Sequence, residues 1–403
     1  MNYLNRLTFV LISITALTLL ASAHDGNGEN TKSFTVSKGG TLEVSVNIGT
    51  IRVKTWDKNE VVVRVSEEDE EEDGDRDDHT GVRIRQQDNV IRVETDPHYE
   101  PWGEVDIDVS IPSRFNVRLE TSAGDITVSG NVIGTVDAQT SGGNISTSSV
   151  DGKVDLETSG GDITTEDIKG DLTLSTSGGN IRVGVVTGLS DVHTSGGDII
   201  IERSDKKLTA KTAGGNVRIG DIGGDALVIT SGGDIVLDRV AGGATLKTAG
   251  GNIMLKSANG AVVAKTAGGD IHADSIVGSI DAKTSAGNIV IVLYPSGTGK
   301  SKLSTSVGDL RLYIPENAKA SITARNRVHY WGGWENDEDV IYSDYKEDTF
   351  DRDGRGREVR ATYTLNGGGQ SITLDASMGN IEILKPDSHR HEFREGKHKK
   401  KSK

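Results

Sequence analysis

A polar side chain returns at one fixed place in a glycine-rich hexapeptide, Thr-Ser/Ala-Gly/Ala-Gly-Asp/Asn-Ile/Val. The residues are Asp125, Asn144, Asp162, Asn180, Asp198, Asn216, Asp234, Asn252, Asp270 and Asn288, with Asp309 and Asn380 in degenerate copies further on. Carboxylates in a row suit cation binding. Calcium-binding glycine-aspartate repeats, however, use a nine-residue period that gathers several acids around each ion. Here aspartate and asparagine alternate along an 18-residue period, so successive carboxylates are too far apart to share one ion. The acidic run 67–78 lacks the fixed Asp-x-Asp-x-Asp-Gly spacing of a dedicated calcium loop. The expectation is no metal site.

Two further groups bear on chemistry. Tyr330, Trp331, Trp334, Tyr342, Tyr345 and Phe350 form the densest aromatic group, interleaved with Glu335, Asp337, Glu338 and Asp339. Such a group reads as a lid over the end of a fold or, more sharply, as a binding face, because exposed Trp and Tyr act as interface anchors. The stretch from Gly297 to Ser301, Gly-Thr-Gly-Lys-Ser, has the end of a phosphate loop without its first glycine. No Gly-x-Ser-x-Gly elbow or His-Glu-x-x-His helix occurs, and the histidines are scattered apart from His389 and His391. The outward residues of the repeats are Thr, Ser, Asp and Lys in mixed order, with no cluster of carboxylates and a base. The expectation is no catalytic residue and no cofactor.

These residues are positioned by the repeat. From Asn144 to Asn288 the corner residue returns every 18 positions, and between corners apolar residues alternate with the period of strands. Val154, Leu156 and Thr158 lead to the Gly160-Gly161 corner; Ile163 and Thr165 follow it, and Ile168 and Gly170 take the third side. Units of three short strands stack best as coils of a parallel β-helix spaced about 4.8 Å apart, so ten coils make a rod on the order of 50 Å long. Crossovers between parallel strands favour the right hand. A propeller with one blade per two repeats would make odd and even repeats differ in apolar character, and they do not. The predicted fold is all-β: a right-handed parallel β-helix, or β-solenoid, of 18-residue coils with capped ends.

Stacking also accounts for the corner alternation. Carboxylates in adjacent coils would repel by about 1 kcal/mol in water. Alternation doubles their spacing to about 10 Å, where salt screens most of the effect, and lets each Asn amide donate to a neighbouring carboxylate. The threonine before each corner points inward by parity and should bond a corner backbone group or the next threonine.

Composition fits this picture. There are 51 glycines, 6 prolines, no cysteine and 4% aromatic residues in 403, so stability outside the cytoplasm would come from stacking without disulfides. Residues 1–23 read as a signal peptide: Arg6, an apolar run from Leu7 to Leu20, and Ala21-Ser22-Ala23 before a cleavage point. An uncleaved anchor is the alternative. Residues 24–120 read as an N-terminal β cap with the first degenerate coils and the acidic insertion 67–78. The regular solenoid is expected over 121–310, C-terminal coils with the aromatic and acidic insertion over 311–386, and a basic disordered tail over 387–403. A net charge of −15 argues against nucleic acid as a partner.

The stretch from Ile51 to Val63 (IRVKTWDKNEVVV), the Val109-Ser-Ile-Pro112 entry and the Thr-Ser-Gly-Gly-Asp-Ile ladder resemble the bacterial putative-adhesin family of exported β-solenoid domains. The resemblance spans residues 34–384. It implies a non-catalytic, envelope-associated role and carries over no catalytic residue. The acidic insertion and the basic tail depart from it. The expected function is an exported, non-enzymatic scaffold at the periplasm, cell surface or beyond, presenting a repetitive face to a polymer, glycan or envelope protein. The alternatives are an envelope structural or signalling component touching the membrane through its basic tail and, further off, a polysaccharide lyase or hydrolase.

Overall fold

The computed structural model describes residues 30–67, 81–96, 104–327, 340–353 and 358–386. The signal-like segment, nearly all of the acidic insertion, Tyr330, Trp331, Trp334 and the basic tail lie outside them. Every named element is a β-strand, and 34 strands join into one solenoid-like sheet, with a two-stranded sheet of Val132–Ile133 and Val150–Asp151 on the third side.

Short strands form because β-branched and leucine side chains alternate with polar ones between glycine corners. Val154–Glu157 pairs in parallel with Leu172–Ser175, placing Val154 on Leu172 and Leu156 on Leu174. After the corner, Ile163 pairs with Ile181, which pairs in turn with Ile199. Like positions therefore fall into vertical files. The inward files of Ile163, Ile181, Ile199, Val217, Ile235, Ile253 and Ile271 are at most 1% exposed, and this stack is the core.

The sheet is mixed, which corrects the expectation of a wholly parallel helix. Antiparallel pairing appears at both ends. Asn30–Thr35 pairs with Glu60–Glu67, which pairs with Val105–Pro112, and Val82–Gln87 forms a hairpin with Val90–Thr95. At the far end, Ala320–Arg327 and Thr349–Arg352 both run antiparallel to Glu358–Leu365. The physical reason is closure. A parallel coil leaves a full edge open, whereas a hairpin can fold across the end with a tight turn. The turn after Val82–Gln87 uses Asp88 at φ 53°.

The stacking order also departs from chain order at both ends. Gly40–Ile48 and Ile51–Trp56 lie between the strands of 90–112 on one side and those of 115–129 on the other. Gln370–Met378 and Ile381–Leu384 lie between 300–313 and 320–343. The degenerate copy at 46–51 thus sits directly on the regular coil at 121–126, and the copy at 376–381 on the degenerate copy at 305–310.

Candidate binding faces

Two chemistries line the outside of the stack, and a third is buried just behind the corner. Asp125 Oδ1 accepts the Asn144 backbone N–H at 2.7 Å, Asn144 Oδ1 accepts that of Asp162 at 2.8 Å, and Asp162 Oδ1 accepts that of Asn180 at 2.6 Å. The same bond continues through Asp198, Asn216, Asp234, Asn252, Asp270, Asn288 and Asp309 to the N–H of Asn380. A carbonyl-type oxygen on a one-carbon stem reaches the next coil's N–H, and aspartate and asparagine alone supply it. Sequence reasoning missed this backbone bond, expecting only charge spacing and amide donation to a neighbouring carboxylate. Amide donation does occur, in one direction: Asn144, Asn180, Asn216 and Asn252 donate Nδ2 to the aspartate one coil earlier at 3.2–3.3 Å.

Behind the corner lies the threonine file. Thr158 Oγ1 donates to Gly143 O at 2.8 Å and accepts the Gly161 N–H at 3.3 Å. Thr176, Thr194, Thr212, Thr230, Thr248 and Thr266 repeat the donation at 2.9 Å. At the C-terminal end Asn326 takes this position and donates Nδ2 to Gly379 O at 2.7 Å. The second corner glycine is required by close approach: a Cβ at Gly161 would stand 2.0 Å from Gly143 O.

The third side carries a shallow groove of about 270 Å³ lined by Arg203, Asp205, Asp221, Arg239, Ser257 and Asn259 among others. Register places Arg203 on Asp221 and Asp221 on Arg239. Arg239 Nε donates to Asp221 Oδ1 at 2.8 Å and Arg203 Nε to Asp205 Oδ1 at 2.7 Å. The Arg239 guanidinium holds the Asp221 carboxyl below its ordinary range, and the bond raises Arg239 in turn. Charges along this file alternate in sign, so they satisfy one another.

The aromatic group is only partly placed. Tyr342 is 56% exposed and lies on the short strand Ile341–Ser343 at the C-terminal edge. Tyr345 packs against the core, and its hydroxyl donates to Ile314 O at 2.5 Å. Burial pushes that hydroxyl's pKa up to about 12. Tyr345 is thus a closing residue, while Tyr342 remains available to solvent. Phe350 is 43% exposed on the outermost strand.

A family model described as Toastrack DUF4097 matches residues 15–220 and 191–329. Among solved structures the chain is similar to a putative adhesin of Bacteroides fragilis NCTC 9343, at 13% identity and TM-score 0.26 over 65% of this chain and 95% of that one. It is also similar to one from Parabacteroides merdae ATCC 43184, at 14% identity and TM-score 0.32 over 66% and 98%. A third, from Parabacteroides distasonis ATCC 8503, shares 15% identity at TM-score 0.29 over 65% and 97%. No curated protein matches the chain.

Proposed function

We propose, since the chain belongs to the Toastrack DUF4097 family, that it is an exported, non-enzymatic scaffold that binds a repeating partner through the outward files of a right-handed solenoid. The observation that carries this reading is register. Each outward position of the repeat stands over its counterpart in the next coil, as the unbroken corner bonds from Asp125 to Asn380 require. A partner that also repeats then meets the same group at every step, and weak contacts sum by avidity. Export is supported by the apolar run 7–20 and its small-residue flank.

The test is a deletion series. Removing whole 18-residue units between Asn144 and Asn288 keeps the register, and binding to envelope material should fall in steps with coil number. Complete loss from one deletion, with the fold retained, refutes a distributed face.

A further inference from the structure

We propose that one file of lysines on the solenoid binds an acidic polysaccharide running along the rod axis. The file becomes visible only through register. His193 pairs with Lys211, Lys211 with Ile229, Ile229 with Lys247, Lys247 with Lys265, and Lys265 with Lys283. Lys247 and Lys283 are exposed and Lys211 and Lys265 half-buried. Lys265 Nζ meets Asp281 Oδ2 at 2.8 Å; among the described residues no ion pair is made by Lys211, Lys247 or Lys283.

Three lysines in adjacent coils repel one another, because like charges directly opposite in a sheet are destabilising. Where like charges stand opposite elsewhere, each has a partner of opposite sign: Asp137 lies on Asp155, but Asp137 meets Arg118 and Asp155 meets Lys153. The corner file alternates Asp with Asn, and the third-side file alternates Arg203, Asp221 and Arg239. In the lysine file Lys265 alone has such a partner, Asp281, and among the described residues Lys211, Lys247 and Lys283 make no ion pair, in a chain whose net charge is −15. Beyond the Asp281 contact folding gains nothing from that stack, so the negative charge that compensates Lys247 and Lys283 belongs to a ligand.

The surroundings select the ligand. The neighbouring file on the same face carries Thr209, Leu227, Thr245 and Val263, all half-buried, a low neutral strip between Asp191 and Asp281 on which sugar C–H faces can rest. A 1,4-linked pyranose advances along its chain by nearly the interval between coils, which is about 4.8 Å, so a polyuronate offers about one carboxylate per lysine. Neither file contains Phe, Tyr or Trp, the stacking platforms on which single-stranded nucleic acid relies. A bilayer is a plane, and docking one would bring the acidic flanks against anionic headgroups, whereas a single polymer strand touches the file alone.

This inference rests on the repetitive-face reading, and the experiment separates the two. Binding of the full chain to polygalacturonate is measured at low ionic strength beside neutral dextran, phosphatidylserine vesicles and DNA. The chain should bind polygalacturonate and not dextran. Lys247→Gln/Lys265→Gln/Lys283→Gln should weaken binding about tenfold, and the corresponding triple Arg variant should restore it. Lys38→Gln/Lys319→Gln/Lys346→Gln removes equal charge elsewhere and should change binding less than about twofold. The file variant should unfold no more readily than the wild type, because its removal relieves repulsion. Absent binding, equal loss in the control variant, or equally tight lysine-dependent binding to vesicles or DNA overturns the proposal. If polygalacturonate fails while coil deletions still cut envelope binding in steps, the lysine file is refuted and the repetitive face stands.

Discussion

Adjacent glycines at one corner should respond oppositely to the same methyl group. At Gly161 an added Cβ would lie 2.0 Å from Gly143 O, 2.4 Å from its carbonyl carbon and 2.7 Å from Asn144 N, all backbone of the preceding coil. No side chain can swing aside, so the coils must part by more than 1 Å or so against a spacing of about 4.8 Å. That parting strains the Thr158–Gly143 bond of 2.8 Å and the Asp162–Asn144 bond of 2.8 Å. Overpacking by about 1–3 kcal/mol, with two or so backbone-linked hydrogen bonds weakened, sets the loss for Gly161→Ala at about 3–5 kcal/mol. At Gly160 the nearest atom would be Gly142 O at 3.5 Å, an ordinary contact, and the residue is exposed. Gly160→Ala should therefore be neutral or stabilise by up to about 1 kcal/mol through the unfolded chain. Urea unfolding of both variants supplies the comparison through their midpoints at unchanged slope. A loss below about 1 kcal/mol for Gly161→Ala, or equal losses at the two sites, would refute the argument that the second glycine is fixed by coil contact.

Other outcomes follow from the files. Thr158→Val strands the Gly143 carbonyl and the Gly161 N–H and should cost about 1–3 kcal/mol in urea. Thr165→Val should instead stabilise by about 1 kcal/mol, because the Thr165 hydroxyl is buried with no partner and Val183 already occupies the next position in its file. Asn216→Asp would place carboxylates in three adjacent coils, between Asp198 and Asp234. Its cost, about 1 kcal/mol per adjacent pair at low salt, should fade in concentrated salt. Tyr345, neutral in the fold up to about pH 12 against an ordinary 10.0, contributes stability fully present below pH 10 and lost as pH climbs toward 12. Alkaline unfolding followed by tyrosinate absorbance should show that loss, and Tyr345→Phe should remove it.

The sequence was most legible where one residue type had one structural task. The 18-residue return of the corner and the alternation around Val154, Leu156 and Ile163 pointed to stacked short strands, because a repeated unit must bury the same face each time. The corner alternation was legible as charge spacing, but the backbone bond that makes Asp or Asn obligatory was not. That bond depends on a carbonyl-type oxygen reaching an N–H one coil away, which residue order does not display. The outward lysines looked mixed along the chain because each is separated from the next by a full coil. Reading the residue before each corner threonine (Lys211, Lys247, Lys265, Lys283) in columns would have found them. Least legible were the ends. Residues 24–120 and 311–386 read as a β cap and coils, yet their antiparallel partners and their order in the stack are set by how an edge is covered, and local pattern carries no record of that.

The interleaving of the two ends gives the molecule a check on its own completeness. Strands 300–313 find their outer neighbour only when residues 370–384 arrive, and strands 320–343 then seat on that neighbour. A chain interrupted before residue 370 therefore loses more than a last layer. Its penultimate layer has nothing to rest on, and the raw edge of the strand from Lys300 to Val307 faces outward. Only a chain that carries residues 370–384 can finish this end, so that segment acts as a keystone between two courses.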